Sequence, residues 1–119
     1  PIFVKLSPDE TEDNLKNIIH ISEKNNIDGF ICCNTTTEHS YQNSGGMSGA
    51  MLTKKAENLQ KKIIKLKQDK SILIASGGVM SAEDVKVRLT HSADLVQLYT
   101  GYIYQGNSLL KKALIISSS

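Results

Sequence analysis

Four short runs of mostly apolar residues punctuate the chain, at residues 2–6, 29–33, 72–75 and 95–98. A strand of a parallel sheet is covered on both faces, so it reads as a near-continuous apolar run and not as an alternation. Each run therefore predicts a short buried strand. Between them the apolar positions recur with helical spacing. Leu15, Ile18 and Ile19 form one stripe, with Thr11 ahead of it as a candidate N-cap. Leu52, Ala56, Leu59, Ile63 and Leu66 fall at intervals of four, three, four and three, which is one face of a helix. Ser81, followed by Glu83 and Asp84, predicts a capped helix start leading into Val85 and Leu89. Asn107 is the expected cap of a last helix carrying Leu109, Leu110, Ala113 and Leu114. The order β-α-β-α-β-α-β-α predicts an α/β fold with a parallel sheet and right-handed crossovers. Four such units fit half a barrel or a small open sheet. No repeat, low-complexity tract or linker divides the chain, so residues 1–119 read as one domain.

Length and charge narrow the picture. A chain of 119 residues falls well short of the roughly 250 of a complete (β/α)8 barrel. Apolar content of 39%, charged content of 22% and a net charge of +2 suit a soluble globular domain and imply no nucleic-acid or other polyanionic partner. Lysine supplies nearly all the positive charge, and Arg88 is the only arginine. An anion site is thus expected to use backbone amides and lysine, not arginine forks. Cys32 and Cys33 are adjacent; neighbouring strand residues point to opposite faces, so a disulfide between them is not expected and a reducing compartment fits. The chain contains no apolar run of membrane-spanning length. It opens on Pro1-Ile2-Phe3-Val4, with no signal-peptide pattern, as though in the middle of a fold.

Candidate chemistry lies after the strands. The polar stretch 34–49 would emerge at the carboxyl end of the second strand, where barrel enzymes carry their sites, and loops of this length are usually functional or mobile. Ser76-Gly77-Gly78 follows the third strand, and Tyr99-Thr100-Gly101 follows the fourth. Glycine lets backbone N–H groups approach an anion, so the two turns suit a phosphate; the alternative is a pair of tight structural turns. Ser44-Gly45-Gly46-Met47-Ser48-Gly49 is either a lid hinge or a further wall of that site. Asn34-Thr35-Thr36-Thr37 offers an amide and three hydroxyls to a polar heterocycle, or simply caps a turn. Lys5 interrupts an apolar strand; it either reaches solvent at the strand end or points into a barrel mouth to face negative charge. His20, His39 and His91 have no metal-ligand spacing. Lys54, Lys55, Lys61, Lys62, Lys65, Lys67 and Lys70 read as the solvated face of one helix.

In order along the chain, these segments resemble the dihydroorotate dehydrogenase family. Phe3-Val4-Lys5-Leu6-Ser7-Pro8-Asp9 is similar to its FVK(I/L)xPD strand, and Asp28-Gly29-Phe30 with Asn34-Thr35-Thr36 to its DG…NTT strand and loop. Gly45-Gly46-Met47-Ser48-Gly49 resembles its GG(L/V)SG segment; Ala75-Ser76-Gly77-Gly78-Val79 and Leu95-Val96-Gln97-Leu98-Tyr99-Thr100 resemble its last two strand ends. The NTT form resembles the quinone-linked class. The resemblance implies half of an FMN-containing (β/α)8 TIM barrel, strands five to eight with their helices.

It also implies roles. Lys5 would lie near the pyrimidine edge of the flavin and stabilise its reduced, anionic form. Asn34 and Thr35 would bind dihydroorotate or orotate. Gly49, Gly78, Tyr99 and Thr100 would hold the FMN phosphate through backbone amides, with Ser48 and Gly77 beside them and Cys33, Ser76 and Leu98 completing the flavin contacts. Cys33 stands where the family usually has threonine or serine, and Ala50-Met51 replaces the usual Lys-Pro. The family's serine base lies upstream of the matched region, as do the missing half-barrel and the helices that meet quinone and an inner membrane of bacterium or mitochondrion. In the whole enzyme the base would take the C5 proton of dihydroorotate, hydride would pass from C6 to the flavin, and quinone would reoxidise it. This chain would carry binding walls without the base and no metal. The alternatives are another phosphate- or FMN-binding barrel, such as a dihydropyrimidine dehydrogenase domain, and a non-catalytic half-barrel that associates through its edges.

Overall fold

The computed structural model describes residues 1–42 and 44–118. Four parallel strands, β1 (Phe3–Leu6), β2 (Gly29–Cys32), β3 (Ile72–Ala75) and β4 (Leu95–Val96), lie side by side in sequence order. Helices α1 (Glu12–Lys24), α2 (Thr53–Leu66) and α3 (Ala82–Thr90) make the crossovers, and α4 (Thr100–Gln105) and α5 (Asn107–Ser117) follow β4. A sequential parallel order with crossovers of one hand places the helices on one face of the sheet.

The register shows this directly. Leu6, Cys32 and Ala75 form one row across the sheet, and Phe30 and Leu73 pair in another; all five are buried. Leu6, Phe30, Cys32 and Leu73 cluster with Leu15 and Ile19 of α1 and Ala56, Leu59 and Ile63 of α2. The intervening row, Lys5, Ile31, Ile74 and Leu95, stays partly open, with Leu95 57% exposed. That asymmetry is the barrel pattern: outward side chains meet helices, inward ones meet the barrel interior.

Local chemistry explains the starts of α1 and α3. Thr11 caps α1 by accepting from the Asn14 N–H at 3.3 Å. Ser81 and Asp84 form a reciprocal capping box on α3. Elsewhere the sequence expectation needs correction. Residue 2 lies outside β1, and β4 stops at Val96. Gln97 still donates its N–H to the Ala75 carbonyl at 2.8 Å, but the chain then turns into α4, a helix the apolar pattern did not announce. Gly101 permits that turn, because a Cβ there would lie 2.4 Å from the Val79 carbonyl oxygen. Asn107 does not cap α5; Gly106, at φ 56°, takes the cap position, and Asn107 Oδ1 accepts from the Tyr102 hydroxyl at 3.2 Å. Leu52 sits in a 3₁₀ turn ahead of α2, and Lys67 and Lys70 lie beyond its last residue. Among the described residues no helix is long and apolar enough to cross a membrane.

Candidate functional site

The carboxyl ends of the four strands open into a cavity of about 270 Å³. Lys5, Cys33, Asn34, Thr35, Ser48, Gly49, Ser76, Gly77, Gly78, Tyr99 and Thr100 all line it. Leu98 does not. It turns to the opposite side, packing against the Val79–Val85–Ala113 cluster, and Gln97 takes the place on the cavity wall. The reason is strand alternation: with Leu95 on the inner row, Gln97 follows it inward and Leu98 falls on the helix-covered side. Leu52, Val79 and Gly101 also line the cavity, and the apolar pattern alone had marked only Leu52, as a helix residue.

Three glycines shape one wall. Gly49, Gly77 and Gly78 have φ of 73°, 88° and 67°, a region other residues enter at a cost. A Cβ on Gly78 would stand 2.4 Å from the Thr53 backbone, and one on Gly77 would stand 2.9 Å from the Leu52 side chain. The Gly77 carbonyl accepts from Arg88 Nη2 at 2.7 Å, and the Gly78 carbonyl accepts from the Thr53 hydroxyl at 2.6 Å. Among the described residues the N–H groups of Gly77, Gly78 and Val79 donate to no other group of the chain. Across the cavity, the Ser48 and Thr100 hydroxyls are 3.0 Å apart and join the loop after β2 to the start of α4. Free N–H groups with no side chain in front of them, flanked by hydroxyls, form a cradle that fits an anion such as phosphate.

The second wall is the loop after β2. Its base is closed by two hydrogen bonds between Thr36 and Met47, at 3.1 and 2.7 Å. Thr36 and Thr37 do not face the cavity. Both bind Asp9: the Thr36 hydroxyl at 2.5 Å, and the Thr37 N–H and hydroxyl at 2.7 and 3.0 Å. Lys55 Nζ completes this group, 2.5 Å from Asp9 and 2.9 Å from the Thr36 hydroxyl, and also pairs with Glu38. Lys55 thus departs from the solvated lysine face expected of α2. Burial alone would raise the Asp9 carboxyl, but Lys55, Thr36 and Thr37 together hold it well below the usual carboxylate range. The polar loop accordingly divides in two, with Thr36 and Thr37 binding its own frame while Asn34 and Thr35 remain on the cavity. Asn34 is exposed, and its side-chain oxygen accepts from the Thr35 N–H at 2.9 Å. Lys5 is exposed on the open inner row and reaches the cavity edge. Cys32 and Cys33 are both free thiols and buried.

A sequential parallel sheet with helices on one face and a glycine-lined cavity at the carboxyl ends of its strands defines half of a β/α barrel. The sequence says which barrel. Residues 1–115 match the profile of the family described as dihydroorotate dehydrogenase, and the chain belongs to that family. It is 42% identical over 125 residues to the dihydroorotate dehydrogenase (quinone) of Dichelobacter nodosus, covering 99% of this chain and 37% of that protein. The Halorhodospira halophila protein of the same name is 40% identical over 121 residues, covering 96% of this chain and 35% of that protein. Among solved structures, Eimeria tenella DHODH in complex with ferulenol superposes with a TM-score of 0.86 at 28% identity, over 93% of this chain and 31% of that one. The chain therefore spans about a third of the length of the relatives it matches.

Proposed function

We propose that this chain forms the carboxyl-terminal half of the barrel of an FMN-dependent, quinone-linked dihydroorotate dehydrogenase, which oxidises dihydroorotate to orotate in pyrimidine biosynthesis. The observation that carries this reading is the meeting of two walls in one cavity. One is a glycine cradle suited to a phosphate; the other presents an amide and a hydroxyl suited to a pyrimidine. The match to quinone-class relatives over nearly the whole chain supports it.

On this reading, FMN supplies the two-electron acceptor. Gly49, Gly77, Gly78, Tyr99 and Thr100 bind its phosphate through backbone amides, aided by the Ser48 and Thr100 hydroxyls. Cys33 and Ser76 close the cavity between the two walls. Asn34 and Thr35 orient the pyrimidine. Lys5 places a cation at the edge of the cavity where negative charge builds up during the reaction. The proton at C5 is removed by a serine from the other half of the barrel. Quinone and the surface of an inner membrane are met by segments that also belong to that half.

The test is spectroscopic. Anaerobic addition of dihydroorotate to the full-length protein should bleach its oxidised-flavin absorbance, and a soluble quinone should restore it. A protein that binds no flavin, or whose flavin dihydroorotate leaves oxidised, overturns the reading.

A further inference from the structure

We propose that Arg88 is a positioning residue for the phosphate cradle, acting through the Gly77–Gly78 peptide. The inference rests on the reading of the cavity as a phosphate site. Arg88 lies in the last turn of α3 and is 0% exposed. Its Nη1 donates to Gln60 Oε1 at 3.0 Å and its Nη2 to the Gly77 carbonyl at 2.7 Å, while its buried Nε has no partner among the described residues. The ion pairs among the described residues involve Lys16 and Lys55 only, so no carboxylate balances this guanidinium. A buried cation that holds two neutral oxygens and no anion is costly, and its field favours negative charge nearby.

The link to the cavity is covalent geometry. A trans peptide is planar, with C=O and N–H on opposite sides. Arg88 holds the Gly77 carbonyl, so the Gly78 N–H points away from Arg88. Gly77 and Gly78 line the cavity and Arg88 does not, so that direction is the cavity side. The Thr53 hydroxyl holds the Gly78 carbonyl and fixes the next peptide, and with it the Val79 N–H. Among the described residues both amides are left without a partner. A donor on the carbonyl polarises the peptide and strengthens its N–H as a donor in turn. The sole arginine thus serves an anion without touching it.

The measurement compares FMN with riboflavin, which lacks the phosphate, by fluorescence quenching on the full-length protein freed of flavin. Arg88→Met should weaken FMN binding by about ten- to hundredfold, the scale of one charge-assisted hydrogen bond, and leave riboflavin affinity nearly unchanged. Arg88→Lys should recover most of the loss. Equal weakening of both ligands, or unchanged FMN affinity, would overturn the proposal. A purely structural role for Arg88 would move both ligands together. The Gly78 amide resonance gives a second arm, independent of flavin and of the folding of Arg88→Met. Titration of the wild-type protein with inorganic phosphate should shift it, and Arg88→Gln should bind phosphate more weakly. An unmoved resonance overturns the proposal, whereas a shift in a protein that binds neither flavin rejects FMN as the ligand and leaves Arg88 in its role.

Discussion

Gly46 and Thr35 stand so close that no methyl group fits between them: a Cβ on Gly46 would lie 1.8 Å from the Thr35 hydroxyl oxygen. The glycine-rich strip therefore acts as a backstop for a cavity-facing side chain, over and above any freedom it gives the loop. Gly46→Ala should push Thr35 out of place and weaken dihydroorotate binding by up to about tenfold, the worth of one hydrogen bond. FMN binding should be unchanged. Steady-state kinetics and a flavin titration on the same variant check this, and an unaltered KM would show that Thr35 does not contact substrate.

The Asp9–Lys55 group predicts a defined pH response. The folded Asp9 carboxyl titrates below its unfolded range, so its stabilising contribution is complete above the unfolded value of about 3.9 and is lost as pH falls through the folded one. Urea midpoints of wild type and Asp9→Asn should differ most near neutral pH and converge as pH drops below about 4. A constant gap down to the acid limit would exclude this carboxylate as the source.

Lys55 should be felt in stability more than its place on a lysine-rich helix suggests. Lys55→Met strands a largely covered carboxylate, 16% exposed, and should cost about 1–3 kcal/mol. Replacing Lys61 or Lys62, both exposed, should cost under about 0.5 kcal/mol. Equal costs in chemical denaturation would place Lys55 back among the solvated lysines.

Lys5 carries the electrostatic part of the proposed chemistry. Its position on the open row, at the cavity edge, leaves the ammonium free to face a ligand. Lys5→Met should slow dihydroorotate-dependent bleaching of the flavin by about a hundred- to thousandfold in anaerobic stopped flow, with FMN still bound. A near-normal rate would reduce Lys5 to a solvated strand-end lysine.

Gly29 tests the sheet itself. It is the register partner of Ile72, and a Cβ there would come within 2.1 Å of the Ile72 carbonyl oxygen. Gly29→Ala should destabilise the protein by about 1–3 kcal/mol, as overpacking does. A stability unchanged in urea would mean that the two strands part more easily than their register implies.

Much of this was legible in the sequence because the signals are local. Continuous apolar runs located the strands, and Ser81 with Asp84 fixed the start of α3. Asn34, Thr35 and the glycine turns were located through motif order. Other features were hidden because they depend on contacts distant in the chain. Lys55 meets Asp9 across 46 positions, and nothing in the helical pattern singles it out from its neighbours. Arg88 lies three residues after Val85, hence on the same helix face. A charged residue is ordinarily assigned to solvent, and only Gln60 and Gly77 make its burial tolerable. Motif order groups Leu98 with the flavin contacts but does not record the facing of a side chain; alternation from Leu95 turns Gln97 to the cavity and Leu98 away from it.

Gln60 and Arg88 also bind the chain's history. Gln60 is fully buried, takes Nη1 of Arg88, and donates to the backbone carbonyls of Arg88 and His91 at 2.8 and 2.9 Å. One amide thus closes the end of α3 and steadies the side chain that reaches the cradle. A drift at position 60 toward an apolar residue would take away one acceptor of the guanidinium, and a drift at 88 toward an apolar residue would leave Gln60 Oε1 without its donor. Loss of the amide at 60 leaves a buried cation without its side-chain partner, so an apolar residue at 60 together with an apolar residue at 88 is the evolutionary imprint this arrangement should leave across relatives.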